Sequence, residues 1–280
     1  MLEAFGNILK IPDLRKKVFL TLGMIAVYRV GTYIPTPGID GANLAAFFAR
    51  LAQSQGGALF GIMNMFSGGA ISRLTIFALG IMPYISASII IQLLTAVIPA
   101  LERLAKEGES GHKKITQYTR YGTIVLAMIQ AYFIAVWLEN PARFQGLQIV
   151  QFPGWSFRIL TVITLTSGTA FIMWLGEQIQ EYGIGNGMSL IITAGIVSRI
   201  PTAMYQLWSL FSPFAPEKSQ LDPFTLILMV FMLVAVIVAV IVVTQGQRKI
   251  PVQYAKRVVG RKVYGGQATF LPLRVNQAGV

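Results

Sequence analysis

Six stretches of this chain are too apolar to rest in water, and no other feature limits its fold as strongly. They cover residues 18–35, 74–98, 121–138, 157–175, 188–210 and 224–244. A helix needs roughly 20 apolar residues to cross a hydrocarbon core about 30 Å thick. Inside that core every backbone N–H and C=O must be bonded within the protein. The runs therefore predict an all-α, polytopic helical membrane protein with six transmembrane helices. Composition agrees, since 54% of the 280 residues are hydrophobic and only 12% are charged. That charged share is about half of what a soluble globular domain carries.

The charges sit between the runs, and their placement orients the chain. Lys10, Arg15, Lys16 and Lys17 precede the first run. Arg103, Lys106, Lys113, Lys114 and Arg120 separate the second from the third. Arg248, Lys249, Lys256, Arg257, Arg261, Lys262 and Arg274 follow the sixth. These make sixteen of the 23 Lys and Arg, against six (Arg50, Arg73, Arg143, Arg158, Arg199 and Lys218) in the alternate segments and Arg29 within the first run. The positive-inside bias places the N-terminus in the cytoplasm, and six crossings return the C-terminal side there. The net charge of +12 is thus explained without nucleic acid as the sole target. Residues 1–17 read as an amphipathic cytoplasmic segment, with no small-residue cleavage site before the first run. The chain has no cysteine, which removes disulfides and thiolate chemistry.

Three stretches do not fit a simple span. Residues 58–66 are apolar but too short to cross, and Ser67-Gly68-Gly69 breaks them. A re-entrant helix and a surface helix of the outer loop both fit, since non-helical backbone at membrane depth survives only under protein or beside a water-filled cavity. Residues 247–275 are polar and basic, with a hairpin turn expected at 263–266. Residues 276–280 turn apolar and read as the start of a seventh span.

Catalytic chemistry is scarce. The acidic residues fall in loops or at span ends, and His112 lies in a basic loop with no nearby ligand. No acid–base pair, serine–histidine arrangement or metal constellation is present, so the sequence predicts no enzyme, no cofactor and no metal site. Arg29 is the cation within the first run, and it either snorkels or bonds to carbonyls of a neighbouring broken helix. The glycines at 183, 185 and 187 lack the strand and the Lys-Ser/Thr of a phosphate loop, and read as a tight turn between antiparallel spans. In the second run Ile81, Ile85, Ser88 and Gln92 share one helical face, and Pro83 suggests a kink. That stripe suits a pore constricted at its middle. Ordinary helix packing, with Ser and Gln as interhelical glue, explains the pattern alone somewhat better.

At these residues the chain resembles the SecY family, the central subunits of the bacterial Sec protein translocon. The likeness is carried by MFSGGA at 65–70, IFALGIMPYISASII at 76–90, PTPGID at 35–40, KEGESG at 106–111, QYTRYG at 117–122, WLGEQ at 174–178, YGIGNG at 182–187, VQYAKR at 252–257 and LPLRVN at 271–276. The resemblance implies a ten-helix channel of two inverted halves, of which residues 18–210 form the first and residues 211–246 the sixth helix. It implies a plug at about 58–68, with Phe60, Gly61, Ile62, Met63, Asn64, Met65, Phe66 and Ser67 closing the pore. It implies an apolar pore ring containing Ile81, Ile85 and Ile192, and lateral-gate positions at Ser88, Gln92, Gln130 and Asn276. Lys256, Arg257, Arg261 and Lys262 in the 247–275 loop would dock the ribosome and the SecA ATPase. Further implied partners are the SecE and SecG subunits, signal sequences and nascent chains, and membrane lipid, all at the bacterial plasma membrane. The implied function is translocation and insertion of polypeptides. A small-solute secondary transporter is the alternative, though such proteins usually carry buried charges.

Overall fold

A computed structural model describes residues 11–52, 61, 64–65, 67–144, 146–211, 223–252, 257–259, 262–264 and 269–274. The chain divides into two compact units, Met1–Met204 and Tyr205–Val280.

In the first unit α1 spans Pro12–Gly31, with proline in its first turn and Arg29 in its last. Proline lacks the N–H that a first turn leaves unbonded, and a cation offsets the partial negative charge of a helix C-terminus. Asp40 starts α2 (Gly41–Ala52) by accepting the backbone N–H groups of Ala42 and Asn43 at 2.9 and 3.2 Å. A single-turn α3 (Ala70–Arg73) leads to α4 (Met82–Val97), α5 (Pro99–Lys106) and α6 (Glu109–Leu138). A 3₁₀ turn at Pro141–Phe144 precedes α7 (Trp155–Tyr182), α8 (Gly187–Val197) and α9 (Ile200–Phe211), whose residues from Tyr205 onward belong to the second unit.

Helices occupy all six apolar runs. Among the described residues four are long and apolar enough to cross a membrane, and five if the bent pair α4–α5 counts as one. The first helix is 20 residues long, but Asp13, Arg15, Lys16 and Lys17 take up its opening turns. The second run differs from the helix expected over 74–98. Its first part is a series of turns, because Leu74 and Gly80 sit in the left-handed region at φ 44° and 57°. Pro83 does not kink a helix there; it lies in the first turn of α4. An apolar turn and an apolar helix look alike to hydropathy.

Two cores hold the unit together. One gathers Leu44, Phe47, Phe144, Phe157 and Leu165 around Ala127, Ala131 and Ala135 of α6, all three fully buried. Alanines four apart form one face, and their small side chains let neighbouring helices approach closely. The other joins Tyr28 of α1, Phe77, Ile172 and Ile179 of α7, and Ile191 of α8. The glycine turn expected at 183–187 is present. Asn186 caps α8 by accepting from Met188 and Ser189 at 3.0 and 3.2 Å. Gly187 packs so tightly on the Gly176 carbonyl that no side chain fits.

The second unit holds α10 (Pro223–Gln245) and the basic segment. That segment is not helical. Strand β1 (Gln247–Val252) pairs antiparallel with β4 (Thr269–Arg274), and β2 (Arg257–Val259) with β3 (Lys262–Tyr264). Val263 and Tyr264, expected in a hairpin turn at 263–266, belong instead to β3, whose pairing with β2 ends at Val259↔Lys262; Gly265 and Gly266 lie outside the described residues. A two-stranded ladder tolerates Pro251 and Pro272, since each strand has an open edge.

Candidate pore site and its comparison with known proteins

The start of α4 fixes the site. Gly80 turns the chain, Ile81 is the N-cap and Pro83, its own φ fixed near the helical value, sits in the first turn. Ile85 then lies one turn beyond Ile81, its N–H donating to the Ile81 carbonyl at 3.1 Å. Both line a cavity of about 200 Å³ with Ile192 of α8, and Ser67 and Ile71 lie in its wall with Leu79, Gly80 and Met82. The structure therefore brings the three isoleucines expected of the pore ring to one apolar space, beside the last of the expected plug residues. Ser88 and Gln92 lie further along α4 and do not line that cavity; Ser88 is half-buried and Gln92 exposed.

Of the expected plug residues, Gly61, Asn64, Met65 and Ser67 are described, while Phe60, Ile62, Met63 and Phe66 lie outside the described residues. Asn64 ties this segment to α3. Its carbonyl accepts from the Gly69 N–H at 2.8 Å and the Ser67 hydroxyl at 3.1 Å, and its side-chain oxygen accepts from the Ser72 N–H at 3.1 Å. The Ser67 hydroxyl in turn accepts from the Ile71 N–H at 3.3 Å. Sequence reasoning gave Asn64 no role beyond membership of the segment.

Three arginines meet beside this knot. Arg29 donates through Nη1 to the Gly68 carbonyl at 3.0 Å and through Nη2 to the Tyr33 hydroxyl at 2.9 Å. This realises the second of the two readings of Arg29, a bond to a carbonyl of a broken element. The Tyr33 ring also carries Arg73, whose guanidinium carbon lies 4.4 Å from the ring centre, with Arg29 at 5.0 Å. Arg199, at the end of α8, covers Gly69. No carboxylate pairs with any of the three among the described residues. Arg73 and Arg199 entered the sequence reading only as orienting charges, and nothing in their spacing marked them as neighbours.

Other cations are paired. Arg120 of α6 meets Glu177 of α7 at 2.6 Å, and Arg158 of α7 meets Glu139 at 2.6 Å. Glu139 also accepts from the Gly154 N–H at 2.9 Å. Burial works to raise the Glu139 carboxyl, but the Arg158 hydrogen bond, the Gly154 amide and the arginine's charge outweigh it and hold the group below its ordinary range.

A second cavity, of about 480 Å³, lies beside the first part of α4 and includes Gln130 of α6 with Ser86, Trp137 and Phe48. Gln130 and Ser86 thus line this cavity while Ser88 and Gln92 do not, and Asn276 is outside the described residues. Arg257 opens β2 and Lys262 opens β3, while Lys256 and Arg261 are outside the described residues. Among the described residues no group of three His, Asp or Glu is placed to hold a metal.

Apolar spans, a broken segment between the first and second, and an isoleucine-lined cavity where the break meets the spans define a polytopic helical membrane protein with a channel fold. Solved structures share it. A protein-conducting channel matches with a TM-score of 0.53 at 18% identity, over 96% of this chain and 57% of that one. Sec61 in the canine ribosome–channel complex from the endoplasmic reticulum matches with a TM-score of 0.52 at 17% identity, over 90% of this chain and 54% of that one. The SecY family model matches residues 75–280, and the chain belongs to the SecY family. The protein translocase subunit SecY of Streptomyces coelicolor is 49% identical over the whole of this chain, which spans 63% of that relative's length.

Proposed function

We propose that the chain supplies the first half and sixth helix of a protein-conducting channel that translocates unfolded polypeptides across, and inserts membrane proteins into, the bacterial plasma membrane. The observation that carries this reading is the meeting of Ile81, Ile85 and Ile192 with Ser67 around one small apolar cavity. Branched apolar side chains close around a moving polypeptide without binding it, and a dewetted constriction of that size resists ions. In this reading the segment from Phe60 to Ser67 is the plug, and the N-terminus is cytoplasmic by the charge bias.

The gate follows from the same frame. A signal sequence that leaves water for lipid gains about 1.5–3 kcal/mol for each fully buried Leu or Val. Ser88, Gln92, Gln130 and Asn276 are the polar positions such a segment would pass. The chain itself carries no catalytic group in this reading, and energy comes from partners. SecE and SecG would complete the channel. The SecA ATPase and the ribosome would dock on the basic strands through Lys256, Arg257, Arg261 and Lys262. Contacts to ribosomal RNA would fall on phosphates and weaken with salt.

The test uses the full-length parent protein with its partner subunits in planar bilayers. Deleting residues 60–67 is expected to produce frequent ion-conducting openings, and Ile85→Gly to increase them. Background conductance in both variants, together with saturable uptake of a small solute, would replace the channel with a secondary transporter.

A further inference from the structure

The turn at Gly68 and Gly69 joins the segment of Asn64 and Ser67 to α3, and two helices, α1 and α8, pack close against it. Both glycines are left-handed, at φ 64° and 93°, a region that L side chains rarely adopt. A side chain would also be crowded at both positions. A Cβ on Gly68 would lie 3.2 Å from the Gly195 Cα of α8 and 3.6 Å from the Tyr28 hydroxyl of α1, and one on Gly69 would fall on the Arg199 guanidinium. Arg29 adds the directed bond, Nη1 to the Gly68 carbonyl at 3.0 Å.

Three like charges converge here with no carboxylate between them among the described residues, which a purely structural site avoids. What retains Arg29 is a neutral carbonyl, the face and hydroxyl of Tyr33 and a long bond to the Thr32 hydroxyl at 3.5 Å. A carbonyl acceptor gives a directed bond weaker than a bidentate carboxylate pair. That combination suits a joint that holds at rest and lets go when the turn is pulled.

We infer that Arg29 is a positioning residue for the plug. Its bond to the Gly68 carbonyl, with Arg199 bearing on Gly69, sets where Ser67 meets the Ile81, Ile85 and Ile192 cavity. This rests on the plug-and-ring reading proposed above. A charge that served only to orient the chain in the membrane would have no need to be aimed at one backbone oxygen of the turn.

The test is a mutant cycle in the full-length parent with its partner subunits, reading resting open probability in planar bilayers. Arg29→Met is expected to raise resting openings roughly tenfold, the scale of losing a hydrogen bond from a charged donor. Arg29→Lys, which keeps a charged donor, is expected to leak about threefold less than Arg29→Met. In a background lacking residues 60–67, Arg29→Met is expected to add nothing, because its action passes through that segment. Parent-like openings in Arg29→Met overturn the inference, and so does the same tenfold increase in the deleted background, which would make Arg29 a general support of the fold. A deletion that itself causes no leak overturns the channel reading instead, and is recognised because it fails before Arg29 is changed.

Discussion

Arg158 and Arg29 occupy comparable places, each half-buried near the end of a long helix, yet they are held in different ways. Arg158 faces a nearly buried carboxylate at 2.6 Å, and Gly154 holds that carboxylate from the other side. Arg29 faces a backbone carbonyl and a tyrosine, with two more arginines alongside. Breaking the first leaves a buried charge without its partner, a large and one-sided cost. Breaking the second returns a carbonyl and a guanidinium to a region already rich in donors. The difference separates a joint that fixes α7 from a joint that retains a segment.

Gly69→Val should strike the second joint hardest. Left-handed strain in a β-branched residue and collision with Arg199 predict a loss of about 3 kcal/mol or more in unfolding free energy. Resting conductance should rise with it, read by denaturant unfolding and bilayer recording on the same preparation. Glu139→Gln should strike only the first joint, lowering stability by about 2 kcal/mol with resting conductance at the parent level. A leak in this variant would erase the distinction.

Acid should separate the joints without mutation. The folded-state Glu139 pKa is depressed, so its contribution is fully present above the unfolded value of about 4.3 and is lost as pH falls through the lower folded value. Melting temperature should therefore decline only below about pH 4.3 through this pair. The joint at Arg29 has no carboxylate among the described residues, and resting conductance should stay flat from about pH 7.5 to about pH 5. The smallest effect belongs to Lys106→Gln. Its pair with Glu102 is well exposed, at 74% and 51%, and the melting temperature should move by no more than about 2 °C.

The spans were legible because a bilayer demands long apolar runs, and those demands leave little choice over residues 121–138, 157–175 and 224–244. The glycine turn before Gly187 was legible because an interrupted apolar pattern with three glycines has few other solutions. The start of α4 was not, since Leu74 to Ile81 is as apolar as the helix it precedes and only φ reveals the turn. The hairpin was misplaced because Val263 and Tyr264 precede two glycines and look turn-like, though the strand register puts both in β3. The ring isoleucines could be picked by resemblance, whereas periodicity alone left them as packing. Arg199 was invisible as a site residue, because its neighbour Gly69 is 130 positions away and neither residue signals the other.

The bend between α4 and α5 limits how the isoleucine helix can travel. The two helices meet at 100°, with Ile98 extended before Pro99 as the residue ahead of a proline prefers. With α4 upright in a bilayer, α5 lies nearly flat, its Leu101 and Leu104 half-buried and Glu102, Arg103 and Lys106 exposed. Any piston stroke of α4 into the bilayer would drag those three charges into hydrocarbon, at about 2.5–3.5 kcal/mol for a single one at the centre. Swinging sideways about the bend moves none of them. In a bilayer the outrigger thus anchors the depth of α4 more firmly than its tilt.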